Sequence, residues 1–395
     1  LVVALSGGGD SVALLTLAVD WARAHGRRVL ALTVDHGLNP ESRDWSRRCE
    51  TVARAGGADW RELRWTGDKP AAGIPAAARS ARHALLADAA RAAGAAVILV
   101  GHTADDVAES DLIRAEGTPI GRLREWAPSP AWPEGRGLML LRPLLVERRA
   151  ALRDLLRARG LDWIEDPANE DLRFARSRAR AALAGRLPPA DNPAGGFRRP
   201  WTWRALWSGG FEIDREITPD FVAAVAVSAA GTATLPRAAA ASRLRNRLAA
   251  AGEFQATLAG AKFSTWGGIA LVGREAGEQR RGGLVALRLD AGRPAVWDGR
   301  FEITLQKGDA TVMAASGRLA RLDAADQLAA RVRPGHRRAL PVLVRDDGSA
   351  PVLAWREAEV VTLAPRRLSL AAGETTHERD LSKSVDGERP PADLF

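Results

Sequence analysis

Apolar and polar positions follow two alternating rhythms over the first third of the chain. Leu1–Leu5 is a short apolar run, and Val12, Leu15 and Val19 then recur at helical spacing. This pattern predicts a buried strand, a tight turn over Ser6–Asp10 and a helix. The rhythm repeats. "RRVLALTVDHG" (27–37) predicts a strand ending in polar residues and "WRELRW" (60–65) a short strand. "IPAAARSARHALLADAARAAG" (74–94) predicts a long helix, and "AAVILVGHTADD" (95–106) a further strand running into a polar turn. Strands alternating with helices predict the α/β class, a doubly wound parallel sheet with helices on both faces. Ligands of such sheets bind beyond the carboxyl ends of the strands. The turns 6–11, 35–42 and 101–109 all fall there and can share one site.

Beyond residue 125 the punctuation changes. "APSPAWPEGRG" (127–137) reads as a Pro/Gly-rich loop, "LMLLRPLL" (138–145) as a strand, and "VERRAALRDLLRARG" (146–160) as a basic helix with a glycine stop. "LPPADNPAGG" (187–196) has turn formers in place of any period. It separates a first domain over 1–186, with a helical extension, from a linker over 187–200. Short apolar segments such as "GGIALVG" and "RPAVWDGRFEITLQKG" predict a smaller, β-containing domain over 201–380, and "LSKSVDGERPPADLF" a tail over 381–395.

Composition narrows the partners. Lys and Arg outnumber Asp and Glu, 57 to 48, for a net charge of +9, which points to nucleic acid or another polyanion. The abundance of arginine and alanine beside four lysines is equally well explained by genome composition. Cys49 is the single cysteine, so a disulfide framework and a CxxC metal or redox site are excluded, and a cytoplasmic protein is expected. No apolar run approaches roughly 18 residues, so no membrane span is expected. The chain opens on Leu1, inside a strand and without a secretory pattern, which predicts a missing N-terminal piece or a partial record.

"SGGGDS" (6–11) lacks the GxxxxGK[ST] of a Walker loop and fails GxGxxG. Its glycines let the backbone turn sharply and bare its N–H groups at a helix start, where the partial positive charge favours phosphate. Ser6 and Ser11 add hydroxyls, and Asp10 is an acceptor suited to Mg²⁺. The plainer reading makes Asp10 or Ser11 a helix cap. In "GHTADDVAE" (101–109), Thr103 and Asp106 form a capping-box pattern. Asp106 and Glu109, three apart, share a helix face. Two carboxylates beside a phosphate site call for a cation, either Mg²⁺ or a substrate ammonium. Asp35 and His36 read as turn polar groups.

SGGGDS matches the SGGxDS turn of the PP-loop ATP pyrophosphatases. Together with "VDHGL", "RSARH", "GHTADDVAE", "LRPLL" and "WIEDPANEDLRFARSRAR", in that order over about residues 1–184, the chain resembles the tRNA(Ile)-lysidine synthetase family. The remainder resembles the family's variable C-terminal, tRNA-binding region only through "LPVLVRDDG" (340–348) and "LAPRRLSL" (363–370). The resemblance implies that ATP adenylates C2 of the wobble cytidine in the CAU-anticodon isoleucine tRNA. Free L-lysine then displaces AMP to form lysidine.

It implies ATP binding by Ser6, Gly7, Gly8, Gly9, Asp10 and Ser11, with Mg²⁺ on Asp10. It implies lysine binding by Arg82, Asp106 and Glu109, and tRNA binding by Asn169, Arg176 and Arg180. Catalysis would fall to Asp10, His102, Asp106 and Glu109, because a lysine ammonium of pKa about 10.4 must lose a proton before attack. Departures from the family pattern are His83 for its tyrosine, Glu116-Gly117 for its arginine-glycine pair, and Ser177 for its asparagine. A homodimer is left open. So are two other functions, tRNA thiolation by another PP-loop enzyme and an idle tRNA-binding homologue.

Overall fold

The computed structural model describes residues 1–117, 123–166, 171–173, 175–184, 202–250, 252–277, 284–322 and 332–372. The expected linker over 187–200, the tail over 381–395 and Asn169 lie outside the described residues. The chain forms two compact units that divide between Gly196 and Phe197.

The first unit carries β1 (Val2–Ala4), α1 (Gly9–Ala24), β2 (Leu30–Asp35), α2 (Ser42–Gly56), β3 (Asp59–Arg64), α3 (Ile74–Ala92), β4 (Val97–Leu99) and α4 (Ala104–Ala115). After these come β5 (Trp126–Pro128), β6 (Met139–Leu141), α5 (Arg149–Ala158) and α6 (Ala175–Leu183). The sheet order is β3-β2-β1-β4-β6-β5. Strands β3, β2, β1, β4 and β6 run parallel, with Val3 of β1 between Ala31 and Leu99. Val2, Val3, Ala31, Leu32, Ile98 and Leu140 are buried, as strands covered on both faces require. Helix α1 packs against α2 and α5, while α3 covers β2, β3 and β4. Val12, Leu15 and Val19 are all buried in α1.

Two readings of the sequence change. Residues 126–128, partly inside the expected loop, form edge strand β5, antiparallel to β6 with Trp126 opposite Leu141. An edge position tolerates Pro128, which has no N–H to offer a neighbour. The strand expected over 138–145 is only Met139–Leu141, because Arg142 turns inward to a hydrogen-bonded site instead of continuing the ladder.

The chain leaves β1 towards β2 and returns through α3 to β4 on the other side of β1. The loops after β1 and β4 therefore part around a crevice at the carboxyl ends, the topological switch point where such sheets bind ligands.

The second unit holds β7 (Trp203–Ala205), β8 (Phe211–Asp214), α7 (Pro219–Ala230), α8 (Ala238–Ala249), β9 (Gln255–Leu258), β10 (Ala261–Trp266) and β11 (Ile269–Arg274). These make an antiparallel sheet of order β7-β8-β11-β10-β9, with Phe211, Val225, Leu248, Phe263 and Val272 in its core. Strands β12 (Leu287–Asp290), β13 (Ala295–Trp297), β14 (Phe301–Leu305), β15 (Asp309–Ala314), β16 (Pro341–Val344), β17 (Val352–Leu353) and β18 (Ala358–Thr362) form two smaller sheets. Their shared core holds Trp297, Phe301, Ile303, Val312 and Leu343. No helix among the described residues is long and apolar enough to cross a membrane.

Candidate active site at the sheet switch point

The turn between β1 and α1 is closed by its own side chains. Ser11 Oγ donates to the Gly8 carbonyl at 2.8 Å and accepts from the Ser6 N–H at 3.2 Å, and the two serine hydroxyls lie 3.1 Å apart. Gly7 sits at φ +85°, and a Cβ there would lie 2.5 Å from Ile164 Cδ1 and 3.0 Å from Cys49 Sγ. The Ile164 N–H also donates to the Gly7 carbonyl at 2.9 Å. A Cβ on Gly9 would meet the Trp163 ring at 3.5 Å, whereas one on Gly8 meets nothing nearer than 3.8 Å. Of the three glycines expected to admit phosphate, two thus make room for "WI" of the segment 163–164. Gly8 stays the most open. Gly101, after β4, lets the second loop press on the first, since its Cβ would stand 3.0 Å from the Asp10 carbonyl oxygen.

On that second loop the capping reading and the acidic reading of Asp106 coexist. Its Oδ2 accepts from the Thr103 N–H at 2.9 Å and the Thr103 hydroxyl at 3.0 Å, which orders the start of α4. Asp106 and Glu109 are both buried on one face of that helix. The cation between the carboxylates is Arg149, the first residue of α5. Its Nε donates to Asp10 Oδ2 at 3.0 Å and its Nη1 to Glu109 Oε1 at 3.1 Å, while Nη2 stands 3.7 Å from Asp106 Oδ2. Arg180 Nε adds a second bond to Glu109 Oε1 at 2.9 Å, and Arg176 Nη1 lies 3.9 Å from Asp106 Oδ1. Asp10 Oδ1 and Glu109 Oε2 are buried without a partner.

The charges respond to this crowding. Burial, aided by the Asp106 charge, pushes the Asp10 carboxyl above its usual range despite Arg149. Burial acts the same way on Asp106. There it is outweighed by His102 when protonated, by the Thr103 N–H and by Arg149 and Arg176, so that carboxyl lies below its usual range.

Next to the acids lies a basic shelf. Burial and the neighbouring Arg79 and Arg176 lower the Arg82 guanidinium to about 10, still charged at neutral pH. Among the described residues Arg82 makes no ion pair, and the charges that act on it are those of Arg79 and Arg176. His102 is held by Arg142, whose Nε donates to His102 Nδ1 at 3.0 Å. Burial, helped by Arg142, Arg176 and Arg79 and opposed by the Asp106 charge, keeps His102 far below an ordinary histidine. A neutral ring that accepts at Nδ1 carries its proton on Nε2, so His102 offers the site a donor.

Sequence reasoning named Ser6–Ser11, Arg82, His102, Asp106, Glu109, Arg176 and Arg180, and the described residues place these around one crevice. It missed Arg149, Arg142 and the Trp163–Ile164 cover. "LRPLL" was a signal for Arg142. Arg149 had none, being one of five arginines over 146–160.

The switch-point turn and the match of residues 1–187 to the PP-loop domain family define a PP-loop, ATP-using enzyme. A tRNA(Ile)-lysidine synthase of Caulobacter vibrioides is 46% identical over 385 residues, covering 94% of this chain and 93% of that one. Another, of Rhizobium meliloti, is 35% identical over 81% of this chain and 76% of its own. Among solved structures, the U34-tRNA thiolase NcsA of Methanococcus maripaludis aligns at a TM-score of 0.40 and 16% identity, over 47% of this chain and 65% of that one. The chain belongs to the tRNA(Ile)-lysidine synthase family.

Proposed function

We propose that the chain ligates free L-lysine to C2 of the wobble cytidine in the CAU-anticodon isoleucine tRNA, splitting ATP to AMP and pyrophosphate. The observation that carries this reading is the span of one guanidinium. Arg149 hydrogen-bonds Asp10 of the phosphate turn and Glu109 of the acidic pair at once, so an activated pyrimidine and an incoming amine can meet there.

ATP lies with its phosphates at Ser6–Ser11 and the α1 N-terminus, where Gly8 leaves the backbone open. The bare Asp10 Oδ1 fits one ligand position of a Mg²⁺ ion. No group of three or more His, Cys, Asp or Glu side chains suited to a metal occurs among the described residues, so Asp10 would be the protein's own contribution to holding the ion. When bound, Mg²⁺ neutralises phosphate charge. Asp106 and Glu109 take the lysine ammonium, and Arg82 takes the lysine carboxylate with its planar fork. Glu109 Oε2 accepts the proton that the ammonium must shed, because His102 Nδ1 is already held by Arg142. The cytidine O2 attacks the α-phosphorus of ATP and pyrophosphate leaves; the amine then attacks C2, the C2–O2 bond breaks, and AMP departs with that oxygen. Arg176 and Arg180 of α6, with the exposed Arg178 between them, follow tRNA phosphates, and Asn169 is assigned to the same task on the resemblance alone.

The test is AMP release from ATP with total tRNA and lysine. Release that needs both supports the proposal. Release without lysine favours thiolation, a chemistry for which Cys49 is poorly suited because burial raises its thiol. No release favours an idle binder.

A further inference from the structure

We infer that Arg149 is an exchangeable counter-ion that orders substrate binding: ATP draws its guanidinium off the acids, and the lysine ammonium then takes its place. This rests on the function proposed above and deepens it.

Four observations carry it. First, Arg149 occupies the carboxylates assigned to lysine, with Nη1 on Glu109 and Nη2 facing Asp106. Second, it is unevenly held. The 3.7 Å approach to Asp106 exceeds a hydrogen bond, so one arm of the fork has no firm acceptor. Third, only its side chain is free to move. The Arg149 N–H donates to Asp105 Oδ2 at 3.0 Å, and the Glu147 carbonyl accepts from the Ala104 N–H at 2.9 Å, pinning the start of α5 to the start of α4. Fourth, the acids have capacity to spare, since Glu109 Oε2 and Asp10 Oδ1 are buried and bare.

The guanidinium stands between two anionic sites, the carboxylates and the turn that receives phosphate. Its Nε already rests on Asp10, and phosphate accepts a guanidinium fork with two parallel bonds. A triphosphate at the turn therefore competes for Arg149. The acids it leaves keep Arg180 on Glu109 and Arg176 near Asp106, but the side that Arg149 filled lies open, and an ammonium with three donors meets both acids there. Neutral amino acids of similar length cannot make this exchange. An amine is thereby kept from the acids until the nucleotide is in place. By linkage, whatever factor ATP adds to lysine affinity, lysine adds to ATP affinity.

Isothermal titration of the full chain with lysine, with and without a non-hydrolysable ATP analogue and Mg²⁺, tests this. In the wild type the analogue tightens lysine at least tenfold. In Arg149→Met that ratio falls to near one, and lysine binds more tightly than to wild type when the analogue is absent. Arg149→Lys, which keeps a cation without the fork, gives a smaller ratio than wild type and decides the matter if Arg149→Met fails to fold. A wild-type ratio near one overturns the inference, as does either variant keeping the full wild-type ratio. Lysine that binds without coupling leaves the lysine site standing and removes only the role of Arg149. Lysine that binds under no condition overturns both.

Discussion

Two of the arginine–carboxylate clusters among the described residues are opposites. In the second unit Asp298 holds Arg274 at 3.2 Å and Arg300 at 2.7 Å, with all three side chains at most 2% exposed. Arg274 also donates to the Gly260 carbonyl and Arg300 to the Ala339 carbonyl. In the first unit one arginine, 13% exposed, serves three carboxylates and leaves two acceptor oxygens bare. The sealed cluster has a surplus of cation tied to backbone, which joins segments of the fold. The crevice cluster matches three carboxylates with Arg149, Arg176 and Arg180 yet keeps Asp10 Oδ1 and Glu109 Oε2 bare, room for a further donor to arrive. Similar chemistry therefore serves architecture in one place and exchange in the other, and the unsatisfied acceptors tell them apart.

The largest effect should come from breaking the sealed cluster. Asp298→Asn keeps a residue tolerant of the left-handed backbone at this position (φ +50°) but strands two buried guanidinium groups. It should cost about 3–5 kcal/mol, read by urea unfolding, whereas a loss below about 1 kcal/mol would deny the cluster its structural role. Asp106→Asn, whose amide oxygen can still accept from Thr103, should cost less stability, about 1–2 kcal/mol, and lower kcat/KM for lysine roughly a hundredfold, about 3 kcal/mol. Filter binding should find tRNA affinity nearly unchanged, and an equal loss there would count against this assignment.

Acid should weaken both units. Burial, then neighbouring cations, holds His83 at about 3 and His336 at about 4. Their unfolded forms take up protons below about 6.5 while the folded forms do not. Stability is flat above that pH and falls below it, by roughly 1.4 kcal/mol per histidine over the next unit. Melting temperature against pH reads this directly, and His83→Gln or His336→Gln should each flatten the slope. The smallest effect belongs to Arg176→Ala. It should lower the slope of log affinity against log salt for tRNA by about 0.7–0.9, one phosphate contact.

The difference between the clusters also marks what a sequence can disclose. The strands and helices of the first unit follow local periods, so they were legible, as were the turns that line the crevice. Arg149 was not, because its meaning comes from a meeting with Asp10 and Glu109 across the fold, and on α5 it is one basic residue among many. Strand β5 was hidden by Pro128, a residue that a central strand rejects and an edge accepts. Asp298 sits in "DG", both residues at positive φ, a readable hairpin signal, yet nothing local foretold its two arginine partners. The pairing order of the second unit was illegible for the same reason, since antiparallel partners such as β14 and β18 are distant in sequence.

The seat of Ile164 against Gly7 has a wider consequence. The wall of the turn between β1 and α1 is assembled from two distant stretches, so neither can be altered alone without the other answering. A fragment ending before Trp163 would lose the Ile164 N–H that holds the Gly7 carbonyl and the ring that lies beside Gly9. Shrinking residue 164 would still not admit a side chain at position 7, because the left-handed backbone there and the Cys49 sulfur both hold it to glycine.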